Sequence, residues 1–149
     1  MKRERDGAAA NIAMKPEITY SVNKQITVEQ FRDLLDASTL GERRPVGEPK
    51  RLEAMLRNSN LLVTAWEGEL LVGLSRCLCD FAFANYCSDL AVRKSHQGKR
   101  IGRELLRIST AVGQCKLILL SAPKAVTFYW QLGLQQHPSA WTLEPGVLD

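Results

Sequence analysis

Apolar side chains recur at two different spacings along this chain, and the change of spacing divides it into elements. Thr27 precedes "VEQFRDLLDA", where Val28, Phe31, Leu34 and Leu35 fall on one helical face and the Thr27 hydroxyl can accept from an N–H of the first turn. The spacing predicts a first helix. A turn-rich link, "STLGERRPVGEP", leads to "KRLEAMLRN", where Leu52, Met55 and Leu56 predict a second short helix starting near Pro49. The link is charged and irregular, a natural place for ligand contacts.

The spacing then shortens. "NLLVTAW" and "LLVGLSRCLC" are apolar runs split by "EGE", the signature of an antiparallel hairpin, and a third run, "ANYCSDLAV", follows "DFAF". Beyond it Ile101, Leu105, Leu106, Ile108 and Val112 mark one face of a helix that stops near Gly113. "KLILLS" is nearly all apolar and predicts a short strand buried on both faces. A strand, a helix and a second strand form a right-handed crossover, so "CSDLAV" and "KLILLS" should lie parallel. "PKAVTFYWQLG" predicts a helix from Pro123 to Gly133, and "LQQHPSAWTLEP" a final hairpin around Pro138 and Ser139. The order is strand, two helices, three antiparallel strands, helix, strand, helix, hairpin. That is an α/β (α+β) domain around a mixed, mostly antiparallel sheet.

Composition narrows the class. At 149 residues, 45% hydrophobic and 24% charged, the chain fits one domain with an ordinary core. Residues 1–13, "MKRERDGAAANIA", have no apolar run and read as a disordered extension or alternative start, leaving the domain to residues 14–149. No window approaches the roughly 18 apolar residues of a membrane span, so no membrane partner is expected. Cys77, Cys79, Cys87 and Cys115 form no zinc spacing with each other or with His96 and His137, so no metal is expected. They read as free buried thiols in a reducing cytoplasm.

The net charge is +4, and +3 without the extension. Arg93, Lys94, Lys99, Arg100, Arg103 and Arg107 crowd one short stretch against the single acid Glu104, which points to an anionic partner near a helix start. No aromatic-interleaved basic patch or reader motif accompanies them, so a nucleic acid is not expected. At the centre of the run lies "SHQGKRIGRELL". A strand entering a glycine-bearing turn and then a helix leaves three or four N–H groups unpaired, where the macrodipole adds about half a positive charge. Phosphate oxygens bind such starts. No GxxxxGK[ST] or GxGxxG is present, against a nucleotide P-loop or a dinucleotide fold. From these residues alone, a ligand cradle and a solvated basic turn are both open.

"LAVRKSHQGKRIGRELL" resembles the signature segment of the GNAT N-acetyltransferase superfamily: Gln or Arg, two residues, Gly, one residue, then Gly or Ala. Gln97, Gly98 and Gly102 match, while Arg100 stands where the family usually has glycine. "APKAVTFYWQLGL" resembles the family's later helix through Phe128, Tyr129, Leu132, Gly133 and Leu134, with Ala122 in place of a frequent asparagine. The resemblance covers about residues 15 to 144.

It implies a single-domain fold with a splayed parallel strand pair, acetyl coenzyme A as cosubstrate, and a small-molecule or peptide primary amine as acceptor. Backbone N–H groups of Gly98, Lys99, Arg100, Ile101, Gly102 and Arg103, with Gln97 at the head of the motif, would hold the pyrophosphate. The pantetheine arm would pair with Leu90, Ala91 and Val92, and an N–H near Leu90 would polarise the thioester carbonyl. Tyr129 would supply a proton to the departing thiolate; its alternative role is packing. Asp89, Asp80, Glu42 or ordered water remain open as general base. Glu42, Arg43 and Arg44 would suit a polar or acidic amine, and Phe81, Phe83 and Tyr86 an apolar one. Family analogy also allows a homodimer. If the family glycine supplies a positive φ, Arg100 costs about 1 kcal/mol or more. If the glycine only clears space, Arg100 can still donate its N–H and aim its guanidinium at a phosphate, and this second option is the one favoured.

Overall fold

The alternating runs pair into one sheet, and the helical runs cover its two faces. The computed structural model describes residues 15–149, so the extension expected over residues 1–13 lies outside them. Five strands, β1 (Ile18–Val22), β2 (Leu61–Glu67), β3 (Leu70–Cys79), β4 (Ala84–Val92) and β5 (Lys116–Leu119), lie side by side in sequence order. The first four are antiparallel and β4 and β5 are parallel. Helices α1 (Val28–Ser38) and α2 (Pro49–Asn58) pack on one face; α3 (Ile101–Gly113) and the short α4 (Val126–Gln131) belong to the other.

Each face has its own core. Phe31, Leu34, Leu35 and Leu52 meet Trp66, Leu74 and Ala91 beneath α1 and α2. Ile101, Leu105 and Leu106 meet Val63, Val72, Cys77 and Cys87 beneath α3. Strand pleating produces this division, because successive side chains point to opposite faces. Gly73 lets α3 down onto β3: a Cβ there would stand 3.0 Å from Ile101 Cγ2 and 3.1 Å from Leu105 Cδ1. Thr27 caps α1 as its sequence suggests, accepting from the Gln30 N–H (3.1 Å) while its own N–H donates to Gln30 Oε1 (2.9 Å).

Three expectations need correction. Strand β5 is not buried on both faces: Leu117 and Leu119 face the α3 core, but Ile118 is 48% and Leu120 52% exposed. Among the described residues no helix crosses its other face, and it is the sheet's edge. Helix α4 begins only after a 3₁₀ turn at Pro123–Ala125 and ends at Gln131. The final hairpin does not form; residues 134–149 contain no strand, and Trp141 is 93% exposed. A hairpin by itself is marginal, and Trp141 and Leu143 find no apolar surface here to repay the ordering of the chain. Among the described residues, no helix is long and apolar enough to cross a membrane.

Candidate acyl-transfer site

The parallel pair parts company partway along. Pairing of β4 with β5 runs from Ala84–Lys116 to Cys87–Leu119 and stops there, so from Ser88 to Val92 strand β4 has a partner only in β3. A β-bulge marks the same place: Arg76 pairs with Asp89 and the next residue, Cys77, with Cys87, leaving Ser88 unmatched. The bulge reverses the facing of the residues beyond it. Cys87 packs under α3, whereas Ala91 packs under α1 and Leu90 and Val92 return to the α3 side. Past the end of the strand, the Arg93 N–H donates to Val72 O on β3 (2.9 Å). By alternation, the peptide groups of Leu90 and Val92 turn the other way, into the gap. Val92 O meets the Gln97 side chain there, accepting from Nε2 at 3.1 Å.

The turn out of β4 is pinned before it reaches the glycines. Arg93 donates to Leu71 O (2.7 Å) and forms an ion pair with Asp33 of α1. His96, 7% exposed, joins Ser95 Oγ through Nδ1 and Glu67 Oε2 through Nε2, both at 2.8 Å. Gly98 then takes φ +78° and Arg100 φ +62°, so the chain passes twice through the left-handed region before α3 starts. The first helical bond runs from the Glu104 N–H to Arg100 O (3.1 Å). The N–H groups of Ile101, Gly102 and Arg103 precede it and find no backbone acceptor among the described residues, and no side chain caps the helix. This is the donor fan that an anion needs.

Arg100 overturns the option favoured from sequence. Its position has the positive φ that glycine adopts freely, so the arginine bears backbone strain rather than merely lining a space. Gly102 also has a packing task. A Cβ there would stand 3.0 Å from Phe128 Cζ, so the missing side chain seats that ring against the start of α3. Of the basic run, Arg93 is paired with Asp33 and Arg107 with Glu104; Lys94, Lys99, Arg100 and Arg103 have no ion-pair partner among the described residues.

Tyr129 lies half-buried against the α3-side core, of which Cys87 is part. Its ring meets Phe128 edge to face, centroids 5.2 Å apart. Burial, with a smaller contribution from Cys87, pushes its hydroxyl up to about 12. Helix α4 therefore touches both halves of the region: Phe128 rests on the start of α3, and Tyr129 on the core that includes the last β4 residue before the gap.

The carboxylates expected to compete for the base are engaged or distant. Asp89 is 1% exposed, and each of its oxygens takes a guanidinium: Oδ1 from Arg44 Nε and Oδ2 from Arg76 Nε, both at 2.5 Å. Arg44 also donates to Ser88 O (2.7 Å), and Arg76 to Ser88 Oγ (3.0 Å) and Met55 O (3.2 Å). Sequence reasoning missed Arg76 and its pairing. The signal was present, a charged residue inside the apolar run "LLVGLSRCLC". Asp80 Oδ1 accepts from the N–H groups of Ala82, Phe83 and Ala84, which hold its carboxyl below the usual range. It caps the β3–β4 turn, about 20 Å of strand from Leu90. Glu42 is exposed in the 3₁₀ turn after α1. Phe83, 84% exposed, and Phe81 sit at that same distant turn and do not line the gap. A hollow of about 250 Å³ adjoins α3, lined by Arg103, Leu106, Arg107, Thr110, Leu132 and Leu134. A larger one of about 610 Å³ lies away from the gap, between the β1–α1 link and α2. Among the described residues, no three His, Cys, Asp or Glu side chains are grouped to hold a metal.

A mixed sheet whose parallel pair parts beside an uncapped helix start defines the GNAT fold, and solved structures of that class superpose on this chain. An acetyltransferase of the GNAT family from Streptococcus pneumoniae gives a TM-score of 0.66 at 23% identity, over 85% of this chain and 98% of its own. Aminoglycoside N-acetyltransferase AAC(6')-Iy in complex with CoA gives 0.69 at 11% identity, over 89% and 97%. The family model described as "Acetyltransferase (GNAT) domain" matches residues 57–136, and the chain belongs to that family. An uncharacterised N-acetyltransferase, ycf52-like, from Prochlorococcus marinus is 32% identical over 111 residues. That match covers 69% of this chain and 56% of the relative, so the chain spans about half the length of the curated relative it matches.

Proposed function

We propose that this protein transfers an acetyl group from acetyl coenzyme A to a primary amine by direct attack. The observation that carries the reading is the juxtaposition of an unpaired β4 edge at Leu90 and Val92 with the uncapped start of α3. Free N–H groups from Gly98 to Arg103, with the side chains of Lys99, Arg100 and Arg103, would receive the pyrophosphate. The pantetheine arm, itself carrying amides, would complete the ladder along Leu90, Ala91 and Val92. The Leu90 N–H would then stabilise the oxyanion as the amine nitrogen bonds to the carbonyl carbon.

As the C–S bond breaks, Tyr129 would face the leaving sulfur. A hydroxyl near 12 stays protonated at neutral pH, but lies roughly three pKa units above an ordinary thiol. Full transfer to the thiolate would be uphill, so Tyr129 is best read as a hydrogen-bond donor to the developing charge, with solvent completing the protonation. With Asp89 clamped by two arginines, water is the acceptor left for the ammonium proton. The same clamp favours a second reading, a module that binds acyl coenzyme A without turnover.

One measurement separates the two. Free thiol released from acetyl coenzyme A is followed over a panel of small amines and peptide N-termini, with coenzyme A binding measured by calorimetry. Amine-dependent release supports transfer; tight binding with none across the panel supports the module. Absence of both would sink the site.

A further inference from the structure

Four cysteines stand in two pairs beneath or beside α3, and their surroundings differ. Cys77 and Cys87 are direct cross-strand partners on β3 and β4, 0% and 3% exposed, and both lie within hydrogen-bonding reach of Ser75 Oγ. They are sealed under the helix. Cys79 and Cys115 lie at the sheet end remote from the gap, with their sulfurs 3.7 Å apart. Cys79 ends β3 and is 6% exposed; Cys115 precedes β5 and is only half-buried. The backbone at Cys115 belongs to no strand or helix, and Gln114 before it has φ +52°. A residue in such a bend can adjust its Cβ direction without breaking a ladder, which bridging requires.

We propose that Cys79 and Cys115 are a site of intramolecular disulfide formation under peroxide, and that Cys77 and Cys87 stay reduced. Hydrogen peroxide meets the accessible thiol first. Cys115 sulfur takes one oxygen to become a sulfenic acid as the O–O bond breaks and one water leaves. Cys79 sulfur, already in contact, attacks the Cys115 sulfur; the S–S bond forms and the sulfenic oxygen departs as a second water. Two thiols lose two protons and two electrons, and one peroxide becomes two waters. The bond closes a loop over β4, the glycine turn and α3, tying the end of β3 to the start of β5 where the parallel pair is closed. The splayed end is left as it was. Because the bridge forms within the fold itself, it stands independently of the acyl-transfer reading.

The test treats the full chain with hydrogen peroxide, then counts thiols in denaturant and maps peptides by mass spectrometry without reduction. Two of the four thiols should disappear, together with one cross-linked peptide pair joining Cys79 to Cys115. Thiol-specific reductant should restore all four. Cys115→Ser, a change at a half-buried position, should keep its three remaining thiols out of any disulfide. Retention of all four thiols in the treated wild type, over-oxidation of Cys115 without a bridge, or a Cys115-linked dimer would each overturn the proposal.

Discussion

Arg100 shows how one side chain can be retained against its own backbone. A non-glycine residue in the left-handed region costs about 1–2 kcal/mol, while glycine at a fixed position forfeits about 0.5–1 kcal/mol of chain entropy. The difference leaves Arg100→Gly more stable by about 0.5–1 kcal/mol in urea unfolding. If the guanidinium meets a phosphate, the same variant should bind coenzyme A several-fold more weakly; a large gain in affinity would remove its supporting role. Tyr129 presents the converse case, a group suited by its surroundings. Tyr129→Phe keeps the ring and its contact with Phe128 but deletes the donor, so kcat should fall at least tenfold while KM for acetyl coenzyme A moves little. An equal loss in binding would make Tyr129 a packing residue. The motif made both positions visible in the sequence. The sign of φ at Arg100 was not, because it depends on how the turn closes onto a helix whose position is set by β3.

At the scale of elements, α4 and the α1–α2 link are short pieces, each fastened through a few side chains. Helix α4 has six residues and depends on Phe128 resting against Gly102. Gly102→Ala would push a methyl to 3.0 Å from the ring tip, so the ring or the helix must move. Coenzyme A binding should weaken by about tenfold, with the far-UV spectrum unchanged, since alanine favours α3 itself. The link is fastened by Arg44 to the β4 bulge, where Arg76 completes a buried Arg–Asp–Arg set. Asp89→Ala strands two guanidiniums, one with a side chain 5% exposed. A loss of about 3 kcal/mol in unfolding free energy is expected, at the lower end for a broken buried pair because Arg44 retains some solvent. Helix and strand positions were legible because one apolar period persists over many residues. The bulge was not, since one extra residue leaves the alternation of "CSDLAV" locally unchanged while reversing which face Asp89 joins. Asp89 therefore stood in the sequence among several open candidates for the base, whereas its two arginine partners make it a strut.

Across the whole molecule, two cores on one five-stranded sheet share stability, and alkaline pH addresses one of them. Tyr129 has its proton held more tightly folded than unfolded, about 12 against 10.0. Above about pH 10 the folded state thus keeps a proton that the unfolded state has lost, so this contribution is intact below about pH 10 and lost between 10 and 12. Unfolding free energy should decline through that window, and less steeply in Tyr129→Phe, measured by urea titration at successive pH values. An unaltered slope in the variant would assign the decline to other groups. The exposed row of Leu78, Tyr86 and Ile118, which share a face through the β3–β4 and β4–β5 registers, belongs to this scale too. The sequence shows three apolar residues in three strands; only the register aligns them.

The sequence alone determined the element order, the mixed sheet, the family resemblance and the motif that locates a helix start, because these depend on local period, caps and turn residues within a few positions of one another. Tertiary structure decided the rest. The edge position of β5, the failure of the last segment to pair, the capture of Asp89 by Arg44 and Arg76, and the contact between Cys79 and Cys115 join residues distant in sequence. Such contacts depend on register and on which surfaces find partners, and no local repeat encodes either. "SHQGKRIGRELL" thus became a helix start with a strained entrance at Arg100, next to a strand edge that β5 leaves uncovered.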